Sequence, residues 1–276
     1  MKNLEFGFIQ GRMTIPPKKD ILQYFPKKNW KKEFYYAKKL NFNFIEYFGE
    51  RNYNKNNPLW NIKSLKKINH LVKKNKLYNY SFCDDLFINN NLLKFKNLEE
   101  YYKELIFNLN FIKIKLYVLA LFEKSLINKK NLISYAKILK KIAFKFKNKN
   151  IKIALETNLE SKLFIRLLRL INEDNVYIVY DTGNRLKNPN LQYQEIIKLK
   201  KHIIHVHLKD KNFNGDNVIL GTGSVNFDAI FMALKRIKFK GKFVFETNRG
   251  NNPRKTMLNN KNYILKKVNG FYNLKK

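Results

Sequence analysis

The chain has 276 residues, 45% of them hydrophobic, with a single cysteine and a formal charge of +35. One large domain accommodates that length. The lone thiol, Cys83, excludes an internal disulfide framework and fits a reducing compartment. No run approaches the roughly 20 apolar residues of a membrane span. The first residues, Met1 to Glu5, lack the apolar stretch of a signal peptide, so a cytoplasmic protein with no membrane partner is expected. The charge alone would point to a nucleic-acid surface. However, all but eight of the 56 basic residues are lysine, spread along the whole chain beside abundant Asn, Ile, Phe and Tyr. That is the profile of an AT-rich genome, and it disfavours nucleic acid as the partner.

A short apolar strand followed by an amphipathic helix repeats along the chain. Residues 4–9 form the first predicted strand, with Gln10, Gly11 and Arg12 as its polar exit, and a proline-containing loop leads to a helix over 30–40. Residues 43–48 are the second strand, carrying Glu46, and 62–74 have helical spacing. A third strand over 77–82 ends in Cys83-Asp84-Asp85, before a helix over 98–111. The fourth, 114–121, runs into Phe122-Glu123, before a helix over 132–146. The fifth strand, 151–155, ends in Glu156-Thr157-Asn158. The sixth, 176–180, ends in Asp181-Thr182-Gly183-Asn184, and helices over 163–171 and 191–199 follow them. The seventh strand is His202 to Asp210, the eighth is 242–245 with the exit Glu246-Thr247-Asn248-Arg249, and helices cover 227–237 and 256–267.

Strands alternating with helices imply parallel pairing with right-handed crossovers. Eight such units predict an α/β protein, a single (β/α)8 TIM barrel domain over residues 1–276; an open doubly wound sheet is the alternative. The near-continuous apolar strands agree with burial on both faces.

In such a barrel the active site lies at the C-terminal strand ends. Strands five to eight end in Glu156, Asp181, His207 and Glu246. Taken singly, an acid there can cap the next helix, and a histidine can sit satisfied in the core. Four consecutive strands placing ionisable groups at one rim favour a shared site, because unpaired buried charges are costly. Two Glu, one Asp and one His suit one divalent metal ion, Mn²⁺, Mg²⁺, Co²⁺ or Zn²⁺. On the seventh strand His205 shares the face of His207 but lies one layer deeper, a supporting or core position, and Lys209 lies beyond His207 as a substrate contact or a partner of Asp210. Arg12, Lys209, Arg185 and Arg249 follow strand exits and are candidates for holding a phosphate, with a solvated rim position favoured for Arg185. Gln10, Glu46, Cys83, Asp84 and Glu123, on the other half of the mouth, are candidates for substrate contacts, Glu46 foremost.

The exits Ala154-Leu155-Glu156-Thr157, Tyr180-Asp181-Thr182-Gly183-Asn184, His205-Val206-His207-Leu208-Lys209-Asp210 and Phe245-Glu246-Thr247 resemble those of the xylose isomerase-like TIM barrels, in particular the sugar phosphate isomerase/epimerase group. Leu220-Gly221-Thr222-Gly223-Ser224-Val225-Asn226-Phe227 resembles that group's glycine-containing loop, and Ile9 to Met13, Phe25-Pro26 and residues 30–46 resemble one of its branches, so the likeness covers nearly the whole chain.

The resemblance implies a metal-dependent isomerase or epimerase of a ketose or ketose phosphate. It places Glu156, Asp181, His207 and Glu246 at the metal-ligand positions and Glu156 with Glu246 at the acid/base positions. Asn184 stands where some relatives carry a substrate-contacting histidine, and Lys211 does not match the arginines that others carry after the seventh strand. Lys209, Arg12, Glu46 and Arg249 complete the expected substrate contacts with Asn184. A small-molecule sugar or sugar phosphate is the expected partner, and a homo-oligomer is compatible with the family. Two other functions compete: an AP endonuclease-like DNA repair nuclease, which the basic charge favours but four histidines poorly supply with the ligands of three zinc ions, and a non-catalytic barrel, which would not need the four-ligand set.

Overall fold

The computed structural model describes residues 4–17, 21 and 23–272. Its strands are β1 (Phe6–Ile9), β2 (Phe44–Gly49), β3 (Ser81–Asp84), β4 (Leu116–Ala120), β5 (Lys152–Glu156), β6 (Val176–Asp181), β7 (Ile203–Leu208), β8 (Asp210–Lys211), β9 (Asn217–Val218) and β10 (Lys242–Phe245). Eight of these close into a parallel barrel in the order β1-β10-β7-β6-β5-β4-β3-β2, while β8 and β9 make a small antiparallel hairpin beside it. Closure excludes the open sheet. The helices are α1 (Trp30–Lys39), α2 (Ile62–Lys74), α3 (Leu86–Asn89), α4 (Leu98–Phe111), α5 (Leu132–Lys147), α6 (Ser161–Ile171), α7 (Gln192–Leu199), α8 (Phe227–Arg236) and α9 (Pro253–Tyr272). None among the described residues is long and apolar enough to cross a membrane.

Each helix lies on the barrel because its sequence supplies an apolar stripe. In α6 the stripe is Phe164, Leu167, Leu168 and Ile171, all buried. The helix ends where Asn172 turns left-handed at φ 51°, a conformation that asparagine tolerates. Helix α1 carries an acid within its apolar stripe, its buried face reading Trp30, Glu33, Phe34 and Ala37. Between barrel and helices the core is rich in aromatic rings, with Phe8, Phe34, Phe82 and Phe243 all fully buried. Each such ring contributes about 1.5–3 kcal/mol by leaving water.

Inside the barrel two small apolar clusters appear. Ile9, Phe44, Phe48 and Val244 form one, and Cys83, Leu116, Val118, Ala154 and Val179 the other. The third strand begins at Ser81 rather than 77 and reaches Asp84. Alternation along it separates Cys83, which faces the barrel interior, from Asp84, which accepts hydrogen bonds from Tyr101 and Tyr117 hydroxyls at 2.8 Å each. Asp84 is therefore a buried structural acid, not the mouth residue its sequence position suggested.

A register shift between β6 and β7 positions the site. Ile178 pairs with Ile203, but Val179 pairs with His205 and Asp181 with His207. Without the skipped residue Asp181 would sit opposite Val206, whose side chain points to the other face. The irregularity thus brings Asp181 and His207 onto the interior side together.

Candidate metal centre and active site

The three acids and one histidine expected at consecutive exits are brought together. Glu156, Asp181, His207 and Glu246 each offer a ligand atom, all within 4.8 Å of one another, and all four residues are buried. His207 Nδ1 lies 2.9 Å from Glu246 Oε2 and 3.4 Å from Glu156 Oε2, yet forms no well-directed hydrogen bond there. Three carboxylates gathered around one imidazole nitrogen form a donor set that fits a divalent cation, which would take the place of the ring proton.

The opposite edge of the His207 ring explains its orientation. Nε2 lies 2.9 Å from Glu46 Oε1 as a charge contact without a well-directed hydrogen bond, while Glu46 Oε2 is hydrogen-bonded to His205 Nε2 at 2.7 Å. All three side chains are completely buried. Carboxylates behind metal-facing histidines fix ring orientation and tautomer in this way. Burial pushes Glu46 up, but His205 and His207 outweigh it and bring its pKa down to about 2. Burial likewise pushes His207 down, and Glu46 and Glu156 more than reverse that, holding it well above the usual imidazole range. Glu46, expected among the substrate contacts, is instead enclosed beneath the imidazoles. Glu46, His205 and His207 form a second group with ligand-compatible spacing. The pairing of both Glu46 oxygens with imidazoles accounts for it without an ion.

Glu246 is the most heavily supported ligand. Its Oε1 is 2.7 Å from Lys209 Nζ, accepts from Gln23 Nε2 at 2.8 Å, and lies 3.7 Å from the Arg12 guanidinium. Burial raises its pKa, but Lys209 and His207 reverse the direction and hold the carboxyl ionised. Lys209 also lies 2.9 Å from Asp181 Oδ2, so its ammonium spans two ligand carboxylates and is almost wholly buried. Burial raises Asp181 to about 6, Lys209 restraining the rise while Glu246 and Glu156 add to it. Glu156 has a lighter hold, one hydrogen bond at 3.0 Å from the Asn184 amide. Asp181 Oδ1 accepts from the backbone N–H of Gly183 and Asn184, so the turn after β6 orders both the ligand and that amide.

The other arginines expected at the mouth serve the loops. Arg249 Nε donates to Gly11 O and its Nη1 to Ile21 O, at 2.8 and 2.7 Å. Arg185 donates to Thr157 O and Leu159 O and pairs with Glu195 at 2.5 Å. It is buried rather than a solvated rim charge. Gln10 is buried as well. Arg12 also donates to Gln23 at 2.9 Å, which ties the loop after β1 to Glu246.

Sequence inspection missed three groups. Gln23 sits in a loop with no local signal, 223 residues from its partner. Glu33 accepts from the N–H of Gly11 and Met13 at 2.9–3.1 Å; its place on the buried stripe of α1 was the available clue. Asp85 shares the interior-facing parity of Cys83, and that alternation could have found it.

A cavity of about 400 Å³ opens above the ligands, lined by Glu156, Asn184, Lys209 and Glu246 on one side and by Arg51, Cys83, Asp85 and Glu123 on the other. A polar cavity at the C-terminal mouth of a closed eightfold barrel, with Glu156 and Glu246 of a cluster that could hold a metal ion in its lining, places the candidate site where α/β barrels carry their active sites. The chain belongs to the xylose isomerase-like TIM barrel family, whose family model matches residues 34–267.

Solved structures of similar fold include a xylose isomerase domain protein from Planctomyces limnophilus, at 12% identity, TM-score 0.76, over 98% of this chain and 99% of that one. L-ribulose 3-epimerase is similar at 14% identity and TM-score 0.76, over 98% and 96%. IolI protein with a binding zinc atom is similar at 17% identity and TM-score 0.75, over 98% and 100%. At these identities the likeness is one of fold. No curated protein sequence matches the chain.

Proposed function

We propose that the protein is a divalent-metal-dependent isomerase or epimerase that acts on a ketose or ketose phosphate by removing a proton from the carbon next to the carbonyl. The observation that carries this reading is the convergence of Glu156, Asp181, His207 and Glu246 within 4.8 Å at the floor of the mouth cavity. Membership of the family and the fold shared with L-ribulose 3-epimerase and with zinc-binding IolI support it.

Glu156, Asp181, His207 and Glu246 would hold a divalent cation, which would supply Lewis acidity that lowers the cost of the negative charge left by proton removal. Glu246, held ionised by Lys209 and His207, accepts the proton, and the C–H electron pair moves into the carbon–carbon bond of an enediolate. Glu156, restrained by the single amide of Asn184 and entering the cycle protonated, delivers its proton to carbon, and the two carboxyls regain their starting states by exchange with solvent after product leaves. Return to the same carbon from the other face inverts it; return to the neighbouring carbon interconverts aldose and ketose. Lys209 fixes Glu246 and Asp181 against each other, and Gln23 and Arg12 hold the far oxygen of Glu246.

The nuclease alternative is less well supported. His70 is exposed on α2 and His202 precedes β7 on a short turn, which leaves only His205 and His207 in the buried network. About one divalent ion per chain is expected on metal analysis; about three zinc ions would favour the nuclease. Metal-loaded wild type should wash deuterium into a ketose or ketose phosphate next to its carbonyl, and Glu246→Gln should abolish it. Absence of exchange from wild type with every such sugar overturns the enzymatic reading.

A further inference from the structure

The mouth contains one buried acid that neither the ligand cluster nor the loop network uses. Asp85 follows β3, is 3% exposed and lines the cavity. Among the described residues its carboxylate has one hydrogen-bond partner, the Cys83 thiol at 3.9 Å, and no ion-pair partner. It precedes α3 but makes no side-chain capping bond to that short helix. Burial, with Glu246 and Glu156 nearby, holds its pKa well above the usual carboxylate range, so the group keeps its proton and offers a hydroxyl donor beside an acceptor oxygen to whatever enters the cavity.

Barrel topology says what it faces. In the strand order β1-β10-β7-β6-β5-β4-β3-β2, the four ligand strands occupy consecutive places and β3 stands directly across from β7. Asp85 therefore confronts the cluster from the opposite wall. A sugar held at one end by the ligand cluster points its remaining carbons toward that wall.

The cations of the cavity are largely committed. Arg51 pairs with Glu123 at 2.9 Å, and Lys209 pairs with Asp181 and Glu246. Among the described lining residues only Lys211 is a cation without an ion pair, and it lies on the hairpin strand β8 rather than beside Asp85. A phosphate dianion needs several convergent cations or N–H donors, whereas the far wall offers Asp85 and Glu123 against one engaged arginine.

We infer that Asp85 is the specificity-determining contact for the end of the substrate remote from the metal centre, binding sugar hydroxyls and selecting a neutral ketose over its terminal phosphate ester. This rests on the sugar isomerase/epimerase reading and narrows it. A protonated carboxyl donates to one hydroxyl and accepts from the adjacent one, and it brings no positive charge to a phosphate set in the same place.

The test uses full-length protein loaded with Mn²⁺, into which the D-ketohexoses and their 6-phosphates are titrated calorimetrically, with deuterium wash-in followed in parallel. Wild type should bind its best neutral ketohexose at least about tenfold more tightly than the corresponding phosphate. Asp85→Leu should weaken the neutral sugar by about ten- to a hundredfold, reduce the preference over the phosphate, and leave Mn²⁺ stoichiometry and the melting temperature unchanged. Asp85→Asn, which keeps one acceptor oxygen, should lie between the two, and serves if the leucine variant does not fold. Tighter binding of the phosphate by wild type, or neutral-sugar affinity unaltered in both variants, overturns the proposal. Binding that depends on Asp85 without any exchange sinks the enzymatic reading but not the contact; exchange with a KM indifferent to Asp85 does the reverse; and no binding of any ketohexose or phosphate overturns the contact.

Discussion

Glu46 shows how much a single enclosed side chain governs here. Its carboxylate is hydrogen-bonded to His205 and lies 2.9 Å from His207 Nε2, which leaves the Nδ1 edge of His207 facing Glu156 and Glu246. Glu46→Gln keeps the shape but presents an amide N–H₂ to one of the rings and removes the charge. Metal affinity should fall about 10–100-fold, measured by competition with a chromophoric chelator, and unchanged affinity would show that the ring is oriented by other means. The four clustered residues were legible in sequence because each ends an apolar run with an ionisable group. The role of Glu46 was not: it lies within its strand rather than at the exit, and how deep a strand residue sits depends on the stagger of a closed barrel. Asp84 and Asp85 make the same point from the other side, since a shift of where β3 begins decides which of two adjacent acids faces the cavity.

At the scale of elements, loops after the strands are pinned by single carboxylates. Asp210 accepts from the N–H of Gly221, Gly223 and Val225 at 2.9–3.1 Å, closing the glycine-containing loop against β8. A Cβ on Gly223 would meet Asp210 Oδ1 at 2.3 Å, so the backbone approaches closely there. Glu33 does the equivalent for the loop after β1, where Gly11 adopts φ 91°.

Burial pushes Glu33 up to about 7 against the lowering effect of the Gly11 and Met13 N–H groups. The folded protein then holds this proton more tightly than the unfolded chain, whose glutamate ionises near the reference value of 4.5. Between those two values the unfolded state binds fewer protons, so stability contributed by this site falls as pH rises from about 4.5 to about 7, by roughly 3 kcal/mol. Glu33→Gln removes that titration. Denaturant unfolding from pH 4.5 to 8 should show the variant with a flatter profile than wild type, and parallel profiles would refute the assignment. The strand–helix alternation was readable because its periodicity is local. The hairpin of β8 and β9 was not, because two-residue strands carry no periodic signal and are fixed by Asp210.

For the whole molecule, +35 charges on 276 residues create strong self-repulsion. The fold offsets little of it by pairing. Many of its ion pairs are partly exposed, such as Lys145 with Glu99 and Lys147 with Asp174, and pairs of that kind contribute little. Salt screens exposed charges over about 10 Å at 0.1 M. The melting temperature should rise by several degrees as NaCl increases from about 0.02 to 0.2 M, read by calorimetry; a flat response would indicate that the lysines are too far apart to repel.

The register shift between β6 and β7 also bears on assembly of the molecule. The four ligand positions run from Glu156 to Glu246, about ninety residues of chain, and no contiguous peptide contains enough of them to hold an ion. Asp181 reaches His207 only once two neighbouring strands have docked out of simple step. A cation captured by this cluster would therefore act late in folding, after the long-range pairings have formed. It would slow the escape from the finished barrel much more than it would hasten arrival there, so the ion would serve as a kinetic lock on the closed ring as well as the centre of its chemistry.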